Sequence, residues 1–153
     1  MIEKQIKVIG RGKSDSNKRD TNRVGDISEL AVITRFLELD YNVLVPYGGN
    51  LRYDMVVEDA DGHIWRIQCK TARMNKSKTV LTFSTSIRNV TGKNRQPRNY
   101  RGECDYFAVY NGELRKAYLI PVDEVGIITA SLRLAPLESN QKKNVLWAKD
   151  YEL

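Results

Sequence analysis

Three observations predict that the chain folds as one mixed α/β domain. With 153 residues, of which 41% are apolar, the chain is long enough to bury one hydrophobic core and short for two. A helical pattern near the N-terminus is followed by short apolar runs that turn residues separate. Two of these runs flank the turn at 59–62, as in a β-hairpin. We therefore expect a mixed central β-sheet flanked by helices.

The first helix is expected to begin after Asp26. Asp26 can cap a helix that starts at Ile27, and Glu29 completes the spacing of a capping box. The apolar residues that follow are Ile27, Leu30, Ala31, Val32, Ile33, Phe36, Leu37 and Leu39. Because they surround most of the helix, it should pack on a sheet and be covered on another side as well. Residues 1–25 are polar and basic and are expected to form an N-terminal arm, with a single domain over residues 26–153.

The strand pattern brings three polar residues together. Strands are expected at 42–46, 53–58, 63–70, 79–84, 106–110 and 117–121, with a short helix at 122–127. If the hairpin turns around Asp61, positions whose numbers sum to about 122 face each other, which sets Asp54 opposite Gln68. Since side chains alternate along a strand, Lys70 lies on the face of Gln68. A carboxylate, an amide and an ammonium then converge.

These groups suit a divalent cation and a phosphate. Magnesium prefers oxygen ligands, which Asp54, the Gln68 side chain and the Cys69 backbone carbonyl can supply. Mn²⁺ can substitute for Mg²⁺ at such a site. Lys70 can then activate water or stabilise charge on phosphate. Two plainer explanations stay open: the Asp…Gln-x-Lys pattern is also ordinary polarity of an edge strand, and a capping box alone accounts for Glu29.

The charge distribution predicts a polyanionic partner. The net charge is +6, and residues 62–102 hold ten Lys and Arg residues and no acid. Nucleic acid fits this pattern, so the segment 71–101 is expected to bind DNA. The residues expected to do so are Arg73, Lys76, Lys78, Arg88, Lys93, Arg95, Arg98, Tyr100 and Arg101. A generic solvated loop is the alternative.

Membrane insertion and export are not expected. No apolar run approaches the length of a membrane span, and the N-terminus lacks the basic-then-apolar order of a signal peptide. A cytoplasmic protein is the expectation.

Several short motifs resemble those of a known family. Asp54, Gln68-x-Lys70 and the upstream Glu29 resemble the core of PD-(D/E)xK nucleases, which have a restriction-endonuclease-like α/β fold. GDISE at 25–29, NLRYD at 50–54, QCKTAR at 68–73 and CDYFAVY at 104–110 resemble the small homing endonucleases associated with group I introns. YLIPVDEV at 118–125 and the tail at 140–153 extend the resemblance. Most of the superfamily has a carboxylate at the position of Gln68, whereas the intron-associated group resembles this chain in using Gln.

The resemblance implies a Mg²⁺-dependent, site-specific endonuclease of double-stranded DNA, with Glu29, Asp54, Gln68 and Lys70 in the catalytic site. Two alternatives remain at this stage: a structure-specific resolvase of four-way junctions, and a catalytically silent DNA-binding module. The resemblance also implies a dimer or tetramer. The apolar residues expected to contribute to its interface lie in the C-terminal half: Ile127, Ile128, Leu132, Leu134, Leu137, Leu146 and Trp147.

Overall fold

The computed structural model describes residues 20–87, 97–136 and 145–153. Helix α1 spans Thr21–Glu38. The strands are β1 (Asn42–Leu44), β2 (Met55–Glu58), β3 (Ile64–Thr71), β4 (Arg73–Met74), β5 (Val80–Ser84), β6 (Tyr106–Asn111), β7 (Lys116–Pro121), β8 (Thr129–Arg133) and β9 (Leu146–Trp147). Short 3₁₀ turns cover Val122–Glu124 and Ala148–Asp150.

The strands form two sheets, which confirms the mixed α/β class. The first sheet has the order β1-β2-β3-β6-β7, and the second has the order β4-β5-β8-β9. In the first sheet β3 and β6 run parallel, and the other pairs are antiparallel. Because β4 follows β3 after a single residue, the second sheet begins where the strand carrying Gln68 and Lys70 ends.

The hairpin register agrees with the prediction. Met55 pairs with Ile67 and Glu58 with Ile64, so paired positions sum to 122. Ile67 is 1% exposed and packs in a cluster with Val32 and Phe36 of α1. Gln68 and Lys70 therefore face the opposite side of the sheet, where Phe107 and Leu81 belong to the larger core cluster. This cluster fills the space between the two sheets.

The predicted start of the first helix is wrong. The helix begins at Thr21, six residues earlier than expected, and its N-cap is Asp20, whose side chain accepts a hydrogen bond from the Asn22 backbone N–H at 3.0 Å. No proline interrupts residues 21–25. Gly25 lowers helix propensity, but the packing of Val32 and Phe36 against the first sheet stabilises the helix as a whole. Glu29 therefore lies in the middle of the helix and cannot complete a capping box.

The predicted second cover over α1 is also absent from the described residues. Val32 and Phe36 are buried against the first sheet. On the far side of the helix, Ile27 and Leu37 are each 54% exposed and Leu30 is 63% exposed. The pattern correctly predicted an apolar helix, but in the described chain only one side of it is packed.

Most of the predicted strands are present, and the C-terminal region differs from expectation. The helix expected at 122–127 is a single 3₁₀ turn, and β4, β8 and β9 were not anticipated. Leu132 is fully buried, while Leu134 and Leu146 pack against the larger core cluster. Intramolecular packing therefore accounts for these three leucines, which were expected at an interface. Leu137 lies outside the described residues.

Among the described residues, no helix is both long enough and apolar enough to cross a membrane.

Candidate active site

Asp54 and β3 form the centre of the candidate site. Asp54 Oδ2 accepts hydrogen bonds from Gln68 Nε2 at 2.5 Å and from the Cys69 backbone N–H at 2.7 Å. Gln68 Nε2 also lies 3.3 Å from the Cys69 carbonyl oxygen. Two of the predicted oxygen ligands, on Asp54 and Cys69, thus converge on one polar N–H₂ group. The amide presents its nitrogen to them, and a half-turn of the amide plane would present Oε1 instead.

Lys70 lies beside this cluster and is held by an aromatic residue. Its ammonium donates a hydrogen bond to the Tyr100 hydroxyl at 2.9 Å and lies 4.5 Å from the centroid of the Tyr100 ring. Burial lowers the pKa of Lys70, and the nearby Asp54 carboxylate partly opposes this effect. Burial likewise raises the pKa of Tyr100 to about 12, so its hydroxyl stays protonated at neutral pH.

Glu29 and Asp54 line the same cleft, which has a volume of about 360 Å³. The cleft is lined by Thr21, Asn22, Gly25, Asp26, Ser28, Glu29, Asp54, Cys69, Lys70 and Thr71. Burial raises the pKa of Glu29, and repulsion from Asp54 and then Asp26 adds to the effect. Burial also raises the pKa of Asp54, against the hydrogen bonds from Cys69 and Gln68 and the charge of Lys70. The cleft therefore concentrates negative charge that a bound cation would relieve.

A buried hydroxyl contact fixes α1 over the cleft. Ser28, which is 2% exposed, lies 2.6 Å from Thr71 through the two hydroxyl oxygens, and its hydroxyl is also 3.0 Å from the Val24 carbonyl oxygen. Since Ser28 precedes Glu29 and Thr71 follows Lys70, this contact joins the two halves of the site. Ser28 was not predicted from sequence as a site residue, and Asp26 was predicted only as a helix cap. A polar residue on the apolar stripe of α1, four positions before Val32, was the available signal for Ser28.

The residues expected to bind DNA differ in their exposure and in their contacts. Arg73, Lys76 and Lys78, on β4 and the turn before β5, are exposed. Arg98 and Arg101 are exposed as well, but Arg98 pairs with Glu103 at 2.6 Å, and Arg101 lies 3.7 Å from Asp123. Tyr100 is 7% exposed and contacts Lys70 from the core. The three others, Arg88, Lys93 and Arg95, lie outside the described residues.

A second group of acids lies on the hairpin turn. Ligand atoms of Asp59, Asp61 and His63 lie within 4.8 Å of one another. Asp59 accepts hydrogen bonds from the backbone N–H groups of Asp61 and His63 and from Trp65 Nε1, so it organises the turn. The four residues of β2 separate Asp54 from Asp59, which lie five steps apart along the chain, about 16 Å at the usual rise.

A helix on a mixed sheet, with Asp54 directly before one strand and Gln68-x-Lys70 on the next, defines the class of PD-(D/E)xK nucleases. The chain belongs to the PD-(D/E)XK endonuclease family, whose model matches residues 19–153. The fold is similar to that of a bacterial homing endonuclease, I-Ssp6803I, with a TM-score of 0.69 and 27% identity over 88% of this chain and 89% of that one. Among curated protein sequences, none gives a significant match.

Proposed function

We propose that the chain is a Mg²⁺-dependent, site-specific endonuclease of double-stranded DNA, similar to homing endonucleases. One observation carries the proposal: Asp54, Cys69 and Lys70 line one cleft with Glu29 in a PD-(D/E)XK family member, and Gln68 is hydrogen-bonded to Asp54 there. The similarity to a homing endonuclease supports the choice of substrate over a junction or a single strand.

The chemistry of the donor set supports a divalent cation. Asp54 Oδ2 and the Cys69 carbonyl oxygen converge on one N–H₂ group, so a positive partner fits between them. Asp54, the Cys69 carbonyl and, after a turn of its amide, Gln68 would hold the ion, and Glu29 would contribute negative charge from α1. Hard oxygen ligands of this kind, completed by water and phosphate, are those that Mg²⁺ prefers. The ion would polarise the scissile phosphate and lower the pKa of bound water.

Lys70 and Glu29 have complementary roles in this proposal. The Lys70 ammonium stabilises the negative charge that develops on phosphate, and this effect is strong because the lysine is largely shielded from water. Glu29, on the opposite wall of the cleft, orients the attacking water through its carboxylate. Because Gln68 is neutral, Asp54 and Glu29 supply the charge that a carboxylate on β3 gives to other members of the superfamily.

The second sheet supports DNA binding next to the cleft. Arg73 pairs with Thr82, and Thr82 pairs with Ser131, so these three exposed residues form one row across β4, β5 and β8. Lys76 and Lys78 extend this polar surface at the adjacent turn, and β4, β5 and β8 carry no acid. Phosphates can bind the cations while the row of short polar side chains approaches a groove.

We also propose that the chain forms a homo-oligomer, a dimer or a tetramer. A duplex has two strands related by an approximate two-fold axis, and one chain supplies one Asp54 site, so two copies allow both strands to be cut. The outer face of α1, formed by Ile27, Leu30 and Leu37, is exposed among the described residues and gives apolar surface for such contact. Ile127 and Ile128, which are 44% and 59% exposed, offer further apolar surface in the C-terminal half.

Incubation of the protein with supercoiled plasmid and a randomised duplex library tests the proposal. With Mg²⁺ we expect defined double-strand breaks within one recurring target sequence, and with EDTA we expect none. Four-way junctions cut in preference to linear duplexes would favour a resolvase. Tight binding without any cleavage in Mg²⁺ or Mn²⁺ would favour a silent DNA-binding module.

A further inference from the structure

Tyr100 reaches the site from a part of the chain that the sequence assigned to DNA. It lies near the end of the basic segment 71–101, between Arg98 and Arg101, yet only 7% of it is exposed. Its ring packs edge-to-face on Phe107, with centroids 5.4 Å apart, and Phe107 packs on Phe83 of the second sheet. Its carbonyl accepts hydrogen bonds from the backbone N–H groups of Glu103 and Cys104. Tyr100 is thus fixed by its ring and its backbone.

The contact of Tyr100 with the site is through Lys70. The 2.9 Å hydrogen bond joins the Lys70 ammonium to the Tyr100 hydroxyl. The ammonium also lies 6.0 Å from the centroid of the Phe107 ring. Lys70 lines the cleft, whereas Tyr100 is not among the lining residues and contacts Lys70 from the core. A lysine side chain has four rotatable bonds and loses much entropy when it is held in one place. A catalytic group must stay within about 0.5 Å of its working position, so this lysine needs a rigid partner.

We propose that Tyr100 is a positioning residue for DNA cleavage: its hydroxyl, fixed by the packing of its ring on Phe107, holds the Lys70 ammonium at the wall of the cleft. The inference rests on the proposed function, because it assigns Tyr100 a role in that reaction. It also gives Tyr100 a role other than direct DNA contact. The ion pair of Arg98 with Glu103 and the 3.3 Å hydrogen bond from Arg101 to the Val125 carbonyl secure the backbone on either side of Tyr100.

The test compares Tyr100→Phe with Tyr118→Phe in the full chain. Tyr100→Phe keeps the ring and its packing and removes the hydroxyl that Lys70 contacts. Tyr118 is a buried tyrosine of the same core cluster, on β7, and serves as the matched control. Single-turnover cleavage at saturating DNA with Mg²⁺ measures the reaction, DNA affinity in EDTA measures binding, and circular dichroism on heating measures folding. Lysine-selective NMR of the ammonium groups measures how firmly Lys70 is held.

We expect Tyr100→Phe to cut about ten-fold more slowly, with DNA affinity within two-fold of the wild type. Its Lys70 ammonium should become as mobile as those of the exposed Lys76 and Lys78, and Tyr118→Phe should match the wild type in rate and in Lys70 mobility. Wild-type cleavage by Tyr100→Phe, while Asp54→Ala is inactive, would overturn the inference and leave the proposed function standing. Reduced DNA affinity with an unchanged single-turnover rate would instead make Tyr100 a DNA contact. A wild-type protein that cuts no DNA would overturn the proposed function and the role of Tyr100 in it, and NMR would still show whether Tyr100 holds Lys70.

Discussion

Asp54 accepts two hydrogen bonds through one oxygen atom, and Lys70 projects into the same cleft. We expect Asp54→Ala and Lys70→Ala each to slow cleavage at least about 100-fold, because each removes charge that acts on the phosphate or its cation. DNA affinity should stay within a few fold, since phosphate contacts lie elsewhere. Cleavage assays and equilibrium binding measure these effects.

Asp61→Ala is the control for the Asp54 variant. Asp61 is an exposed acid of the hairpin turn, in the group with Asp59 and His63. We expect this variant to cut like the wild type. Loss of activity in Asp61→Ala, with activity retained in Asp54→Ala, would place the metal site at the turn.

Gln68→Glu tests whether position 68 binds the cation. A carboxylate there would face Asp54 Oδ2, which now accepts a hydrogen bond from the amide, so like charges would meet in the absence of metal. We expect a lower melting temperature in EDTA, recovery on addition of Mg²⁺, and cleavage that persists or changes its preference between Mg²⁺ and Mn²⁺. A variant with unchanged stability in EDTA and unchanged metal preference would show that position 68 does not contact the ion.

Glu29→Gln tests whether the charge of Glu29 serves cleavage or stability. A capping role is excluded because the helix begins at Thr21. The pKa of Glu29 is raised in the folded state, so its folded state binds the proton more tightly than its unfolded state. Ionised Glu29 therefore costs stability at neutral pH, and this cost fades as the pH falls toward its ordinary value of 4.5. We expect Glu29→Gln to melt at the same temperature or about 1 to 3 °C higher at pH 7 in EDTA, and to cut at least about ten-fold more slowly. A large fall in melting temperature would indicate a structural role instead.

At the scale of elements, β4 and the turn between β4 and β5 carry three exposed cations that closely follow the site residues of β3 in sequence. Each phosphate contact contributes about 0.9 to the slope of log affinity against log salt, so replacement of Arg73, Lys76 and Lys78 by Gln should flatten the slope by about 2.7 units. Affinities measured between 50 and 200 mM salt, an ordinary working range, give the slope. Arg115→Gln, an exposed arginine in the turn between β6 and β7, is the control and should leave it unchanged. An unchanged slope in the triple variant would place DNA on another surface.

The element scale also explains which predictions from sequence succeeded. Turn residues at 59–62 and period-two alternation define the β2–β3 hairpin, and both are local signals, so the contact of Asp54 with Gln68 at its open end could be predicted. Strands β4 and β9 have two residues each, and neither is long enough to show a period. The start of α1 was missed because the capping-box spacing of Asp26 and Glu29 favours the later start, although Asp20 is an equally good cap by residue type.

At the scale of the whole molecule, the outer face of α1 has no cover within the described chain. We expect light scattering to give two or four times 17.6 kDa at micromolar concentration without DNA. Substitution of Leu30 and Leu37 by Asn should shift the protein toward the monomer, because these side chains are more than half exposed among the described residues and a second copy would cover them.

Ile127→Asn with Ile128→Asn is the parallel variant for the C-terminal half. Dissociation by this pair alone would place the interface there and not on α1. A monomer across the whole concentration range, with both strands still cut, would contradict the oligomer altogether.

The sequence by itself determined the class of fold and the basic character of the segment after β3, and it supplied the predicted site residues Glu29, Asp54, Gln68 and Lys70. These depend on the alternation of apolar and polar residues, on turn residues and on the order of the motifs, all of which can be seen in the sequence. Only the tertiary structure decided that Tyr100 contacts Lys70, that Ser28 contacts Thr71, and that the described residues leave one side of α1 exposed. Such contacts join residues 30 and 43 positions apart in sequence. No local pattern records them, because packing between the sheets and the helix sets which distant side chains meet.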